Sequence, residues 1–86
     1  MKALLCTQFG LPENLSVKEI PDPIPSPNQV LIAVEACGVN FPDVLIIQNK
    51  YQFKPELPFS PGGEVSGIVE QISPDVKNLK VGQRVL

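Results

Sequence analysis

The sequence contains no histidine and no tryptophan, and its 86 residues include one tyrosine, one methionine and two cysteines. Histidine is the commonest metal ligand and the usual general base, so its absence removes the hydrolytic triads and the serine or cysteine dyads that depend on imidazole. A glycine-rich phosphate loop is also missing, because Gly67 is followed by Ile68 and Val69 instead of lysine and serine or threonine. The residues alone therefore indicate no catalytic centre.

Basic charge is scarce as well. The net charge is −2 and the pI is about 4.9, and the seven basic residues are scattered along the chain. Nucleic-acid binders usually carry a clustered basic face, so we expect no nucleic-acid partner. The apolar run near Met1 is too short for a signal peptide or a membrane span, so we expect a cytoplasmic protein without membrane contact. In that setting Cys6 and Cys37 are expected to be buried, unreactive thiols.

Proline is the one residue present in excess, with ten copies. Because proline cannot donate to a strand ladder or lie inside a helix, its abundance favours short strands and many turns. A single small domain with a modest core and all-β character is expected at this length. Apolar runs and alternation predict strands at Lys2–Phe9, Leu15–Ile20, Gln29–Cys37, Gly63–Ile72 and Val81–Leu86. A proline-rich surface connection is predicted from Pro21 to Pro27.

One short helix is predicted between the third and fourth strands. Asn40 has the properties of an N-cap, Pro42 fits the first turn, and Asp43 is placed to reach back to the helix start. The helix should extend to about Gln48. Residues 49 to 60 then form a long irregular segment that carries Tyr51, and loops of this length are often functional.

Three motifs in order resemble the medium-chain dehydrogenase/reductase superfamily. The segment from Gly38 to Asp43 resembles the region after its third strand. Pro58-Phe59-x-Pro61-Gly62-Gly63-Glu64-x-x-Gly67 resembles its second signature, and Val81-Gly82-Gln83-Arg84-Val85 resembles its third. The resemblance covers essentially the whole chain and implies a GroES-like, partly open β-barrel, here truncated.

Within that superfamily the sequence resembles the zinc-free quinone oxidoreductases, which include the zeta-crystallin-like enzymes. Zinc-dependent alcohol dehydrogenases carry cysteine where this chain has Asn40 and histidine where it has Gly63, so the resemblance implies no zinc. Quinones are electron-poor and accept hydride without the Lewis acid that alcohol oxidation needs. The resemblance therefore implies metal-free hydride transfer from NADPH to a quinone or an activated enone.

The resemblance also implies site residues. Asn40 would direct its amide toward the nicotinamide or the substrate carbonyl, Phe41 and Pro42 would line the wall that faces the cofactor, and Tyr51 would place a hydroxyl at the mouth. On the residues alone, a plain helix N-cap is the favoured explanation of Asn40, and the resemblance makes the two explanations equal. Tyr51 is better explained as a half-buried loop aromatic.

Residues 1–86 are expected to form one GroES-like catalytic-domain fragment without the Rossmann domain that would hold most of NADPH, so we expect no turnover by this chain alone. Two other readings stay open. One is a non-catalytic GroES-like binding or assembly module, in which exposed strand edges pair to form a homodimer. The other is a fragment of an enoyl-type alkene reductase.

Overall fold

The computed structural model describes residues 1–86 and consists mainly of strands with one short helix. The elements in chain order are β1 (Lys2–Leu5), a 3₁₀ turn (Pro12–Asn14), β2 (Ser16–Glu19), β3 (Val30–Gly38), α1 (Phe41–Ile46), β4 (Glu64–Ile72) and β5 (Arg84–Val85). The strands form two separate sheets, β1-β2 and β3-β4-β5, and neither sheet closes on itself. This agrees with the predicted all-β class and with a truncated GroES-like domain.

The chain divides into two compact units, each built from two separated segments. The first unit contains Met1–Pro21 and Val39–Gly63, and the second contains Asp22–Gly38 and Glu64–Leu86. All the residues for which the sequence suggested a function, from Asn40 to Tyr51, lie in the first unit.

In the first unit, β1 pairs antiparallel with β2. The predicted first strand was too long, because β1 ends at Leu5 and not at Phe9. After Leu5 the chain no longer pairs with β2, and Cys6 forms an isolated bridge with Phe59. The Cys6 N–H donates to the Phe59 carbonyl at 2.8 Å, and the Phe59 N–H donates to the Cys6 carbonyl at 3.2 Å. The Phe9 and Phe59 rings also approach to 6.4 Å between centroids.

Helix α1 stops before the predicted Gln48. The N–H of Lys50 donates to the Leu45 carbonyl at 2.9 Å, and the N–H of Asn49 donates to the Ile46 carbonyl at 3.1 Å. With Asn49 at a φ of 60°, these two bonds form a Schellman motif, which satisfies the last helical carbonyls and turns the chain away. Asparagine tolerates this left-handed conformation better than most residues.

In the second unit, β3 and β4 pair antiparallel along nine residues each, and β5 adds to β4. The predicted alternation along β3 was only partly correct. Its register shifts between Leu31 and Ile32 and again between Val34 and Ala36, and Val34 is left 54% exposed. An extra residue in one strand moves every later side chain to the other face, so alternation in the sequence does not persist through such bulges.

The buried core is small. Its hydrophobic members are Cys6 and Ile47 in the first unit and Val69 in the second. Cys6 fits the predicted buried thiol, but the prediction was wrong for Cys37, which is exposed on the bulged part of β3. Both cysteines are free. None of the helices reaches the length and apolarity that crossing a bilayer requires.

Candidate functional site

The candidate site is built around the first turn of α1. Asn40 has extended backbone angles, with φ −125° and ψ 163°, and is the N-cap of the helix. Pro42 lies in the first turn, where its missing N–H leaves no helical bond unmade. The predicted helix start is therefore confirmed.

Asn40 and Asp43 form a capping box. The Asn40 N–H donates to Oδ2 of Asp43 at 2.8 Å, and the reciprocal contact runs from the Asp43 backbone N–H to the Asn40 side chain. Such a box satisfies two of the amide groups that a helix start leaves without partners. It also fixes the backbone of the residue for which the sequence implied a functional amide.

The same carboxylate reaches a second segment of the chain. Oδ1 of Asp43 accepts a bond from the Gly62 N–H at 3.2 Å, across 19 positions in sequence. Asp43 is only 9% exposed, whereas Asn40 is exposed. Gly62 has a φ of 101°, a conformation that glycine adopts without strain. A buried carboxylate thus joins the helix start to the glycine-rich turn that precedes β4.

Apolar side chains flank Asn40 on both sides and point into solvent. Val39 is 84% exposed and Phe41 is 72% exposed. Pro42 is half-buried. An exposed amide between two uncovered apolar side chains can contact a flat ring on its faces and bond a polar group at its edge. This is the one place in the first unit where the implied residues are adjacent.

Tyr51 lies beyond the Schellman turn, on the irregular segment that was predicted from its prolines, and is half-buried. None of the hydrogen bonds that join Asn40, Asp43 and Gly62 includes it. The structure therefore brings Asn40, Phe41 and Pro42 together at one helix start and places Tyr51 on a separate segment of the same unit.

The sequence missed the contact between Asp43 and Gly62. Asp43 was interpreted as a capping residue, which it is, and Gly62 entered the sequence analysis only as part of a motif. No local pattern indicates that the two residues meet. The proximity of an acidic first-turn residue and a Pro-Gly-Gly turn in two successive motifs was the only available signal.

The metal-ligating and basic side chains of the chain limit which metal ions and cofactors it can bind. The Cys, Asp and Glu side chains form no group of three or more that could bind a metal ion, and histidine is absent. At Gly63, a Cβ atom would meet nothing within 4 Å, so the space around it is open. Exposed Asn40, with its exposed neighbours Val39 and Phe41, offers a polar group beside apolar surface, while the scattered basic residues provide no cluster for the phosphates of a dinucleotide.

Comparison with known proteins gives consistent matches. The family model described as the alcohol dehydrogenase GroES-like domain matches residues 26–86. A quinone oxidoreductase of Lama guanicoe is 43% identical over 86 residues, which are 99% of this chain and 26% of that protein. The chain thus spans about a quarter of the length of the curated relatives it matches.

Solved structures agree. A mycobacterial protein complexed with NADPH is 39% identical and superposes with a TM-score of 0.88, over 98% of this chain and 26% of its own. A cobalt- and zinc-bound thermostable alcohol dehydrogenase from Pyrobaculum aerophilum is 36% identical, with a TM-score of 0.85, over 98% of this chain and 25% of its own. A metal-bound relative and an NADPH-complexed relative therefore share this fold.

Proposed function

Since this chain belongs to the alcohol dehydrogenase GroES-like domain family, in the quinone oxidoreductase branch of the medium-chain dehydrogenase/reductase superfamily, we propose that it forms the substrate-facing wall of an NADPH-dependent quinone oxidoreductase. The observation that carries the proposal is the exposed Asn40 amide between the uncovered side chains of Val39 and Phe41. That pairing of polar and apolar groups suits a nicotinamide ring stacked against a quinone.

In this proposal Asn40 donates its side-chain amide to the substrate carbonyl or to the nicotinamide carboxamide. Phe41 and Pro42 cover the adjacent ring face and keep water away from it. Tyr51 donates its hydroxyl at the mouth of the site. Each of these residues binds or orients, because the chain has no histidine and no side chain here is arranged as a strong base.

NADPH, when bound, supplies the hydride, so that a quinone takes up one hydride from it and one proton from solvent to give the hydroquinone and NADP⁺. A quinone is electron-poor, and its reduction does not need a metal to stabilise an alkoxide. The replacement of potential metal ligands by Asn40 and Gly63 supports metal-free reduction in this chain, although zinc-containing relatives share the fold.

The remaining part of the site belongs to a Rossmann domain outside these residues in the proposed enzyme. This part of the proposal is supported by the length of the relatives, because about three quarters of each relative lies outside the matched segment. The phosphates of NADPH would bind there, and the 86-residue chain alone would have no turnover. A cytoplasmic location, where NADPH is available, is part of the same proposal.

The test is quinone-dependent NADPH oxidation by the chain and by the longer protein that its downstream coding sequence specifies. The longer protein should turn over and the chain alone should not. In the longer protein, Asn40→Ser keeps an N-cap oxygen but removes the amide, so it should lower kcat while leaving the helix intact. Tyr51→Phe, which removes only a hydroxyl, should have a smaller effect. Full activity of Asn40→Ser would refute the role given to the amide.

Two other functions are compatible with the same fold. In the second unit β3 is an edge strand, and its residues from Ala33 to Cys37 are all exposed. This favours an assembly module that forms a homodimer by edge pairing, for which the expected result is stable self-association without nucleotide binding. An enoyl-type alkene reductase would use the same cofactor, and a comparison of quinone and enoyl thioester as substrates separates it from a quinone reductase.

A further inference from the structure

The carboxylate of Asp43, in the first turn of the short helix α1, is buried and bonded to two segments of the chain. It is 9% exposed, and its two oxygens accept from two backbone amides, of Asn40 at 2.8 Å and of Gly62 at 3.2 Å. Burying a carboxylate is costly unless hydrogen bonds replace its hydration. Here each oxygen has its own donor, and the donors come from two segments that are far apart in sequence.

Burial of the side chains next to Asn40 does little to fix this segment. Its neighbours Val39 and Phe41 are 84% and 72% exposed, so neither gains much from burial that would hold the backbone in place. The directional contacts at this segment include the capping box and the bond to Gly62. Of these, the bond to Gly62 is the one that ties the helix start to another part of the first unit.

We propose that Asp43 is a positioning residue, which fixes the position of the Asn40 amide and the Phe41 ring by holding the helix start against the Gly62 turn. The two bonds of its carboxylate, to the Asn40 and Gly62 amides, form what we call the clamp. The inference rests on the proposed function, because it assigns Asp43 a role through Asn40. A carboxylate is needed for the clamp, since it offers an acceptor oxygen to each amide. The amide side chain of asparagine offers one acceptor and presents N–H groups to the second donor.

The clamp itself is tested in the 86-residue chain by amide hydrogen exchange on wild type and Asp43→Asn. Bonds to a charged acceptor contribute enough that the exchange rate of the Gly62 or Asn40 amide should rise about 10- to 100-fold. Exchange at Val69, in the second unit, should not change. Asp75→Asn is the matched control, because Asp75 also accepts a backbone N–H, from Asn28, but lies in the second unit.

Three results would overturn the clamp. Unchanged exchange at both amides in Asp43→Asn would mean that the carboxylate holds neither segment. An equal rise at every amide, including Val69, would mean that Asp43 contributes only to global stability. Asp43→Glu keeps the charge and should retain part of the protection, and failure of both variants to fold would likewise assign Asp43 to stability alone.

Positioning through Asn40 is tested by kinetics in the longer protein. Asp43→Asn should lower kcat about as much as Asn40→Ser does, with the KM for NADPH within about twofold, and the double variant should be no slower than the slower single one. Multiplying effects on kcat would show that Asp43 does not act through Asn40. If the unaltered longer protein has no turnover, the proposed function is wrong, while the exchange measurement still decides whether Asp43 clamps the two segments.

Discussion

Substitution of Gly67 by alanine should be the most damaging small change in the second unit. Gly67 is buried in β4 opposite Val34, next to a register shift in β3. A Cβ atom at this position would overlap the backbone carbonyl oxygen of Ala33 and press against Cγ2 of Ile32. The carbonyl is part of the backbone of β3, so it cannot move aside as the end of a flexible side chain could.

The size of the effect follows from the close contact and from the small core. Overpacking in a well-packed site costs about 1–3 kcal/mol, and a backbone obstacle puts Gly67→Ala at the upper end, at about 3 kcal/mol. A chain of 86 residues is expected to have about 4–13 kcal/mol of stability. Because the buried hydrophobic core has three members, Cys6, Ile47 and Val69, we expect a free energy of unfolding at the lower end of this range. Gly67→Ala should therefore remove most of the stability.

Urea unfolding followed by far-UV circular dichroism measures this directly, since the chain has no tryptophan. Gly63→Ala is the matched control, because a Cβ there meets nothing within 4 Å and Gly63 does not have a positive φ. Gly63→Ala should be neutral or should stabilise the chain by about 0.4–1 kcal/mol, because alanine lowers the conformational entropy of the unfolded state. If Gly67→Ala is as stable as Gly63→Ala, the close approach of β3 and β4 described here is wrong.

Three further predictions concern single residues. A maleimide should label exposed Cys37 rapidly and fully buried Cys6 only on unfolding, and two equally fast thiols would contradict the burial of Cys6. The Ser73 hydroxyl and then the Asn28 N–H, by donating to Asp75, hold the pKa of that carboxyl below its ordinary value of 3.8. The contribution of ionised Asp75 to stability should thus be complete above pH 3.8 and lost as the pH falls through the lowered pKa. In acid titrations followed by circular dichroism, Asp75→Asn should remove this part of the pH dependence. An unaltered titration profile would refute the prediction. Because Asn49 has a φ of 60°, Asn49→Ala should lower the midpoint of thermal unfolding by an amount equivalent to about 1 kcal/mol. Asn49→Gly should not lower it. Equal midpoints for the two variants would contradict the Schellman turn.

Elements fixed by local chemistry were predicted well from the sequence. The start of α1 followed from Asn40, Pro42 and Asp43, because capping depends on residues within one turn of the helix. Strand β3 followed from the alternation of its residues, and β4 followed from its content of Val and Ile. The motifs from Gly38 to Asp43 and from Pro58 to Gly67 also led to the correct family, since their order along the chain is specific.

Features that depend on distant partners were not predictable. The bridge between Cys6 and Phe59 ends β1 early, and the run from Lys2 to Phe9 contains no local signal for it. The register shifts between β3 and β4 have no local signal in the sequence, and neither does the lack of cover over both faces of β3 from Ala33 to Cys37, which leaves Cys37 exposed. The contact between Asp43 and Gly62 is likewise a product of tertiary folding, and it is the feature of the candidate site that the motifs did not reveal.

The most direct test of the account is the rate of quinone-dependent NADPH oxidation by the 86-residue chain and by the longer protein that its downstream coding sequence specifies. We expect turnover by the longer protein only, with a lower kcat in Asn40→Ser and an unchanged thermal unfolding midpoint. Absence of NADPH binding and turnover in the longer protein would contradict the reductase assignment and favour a GroES-like assembly module.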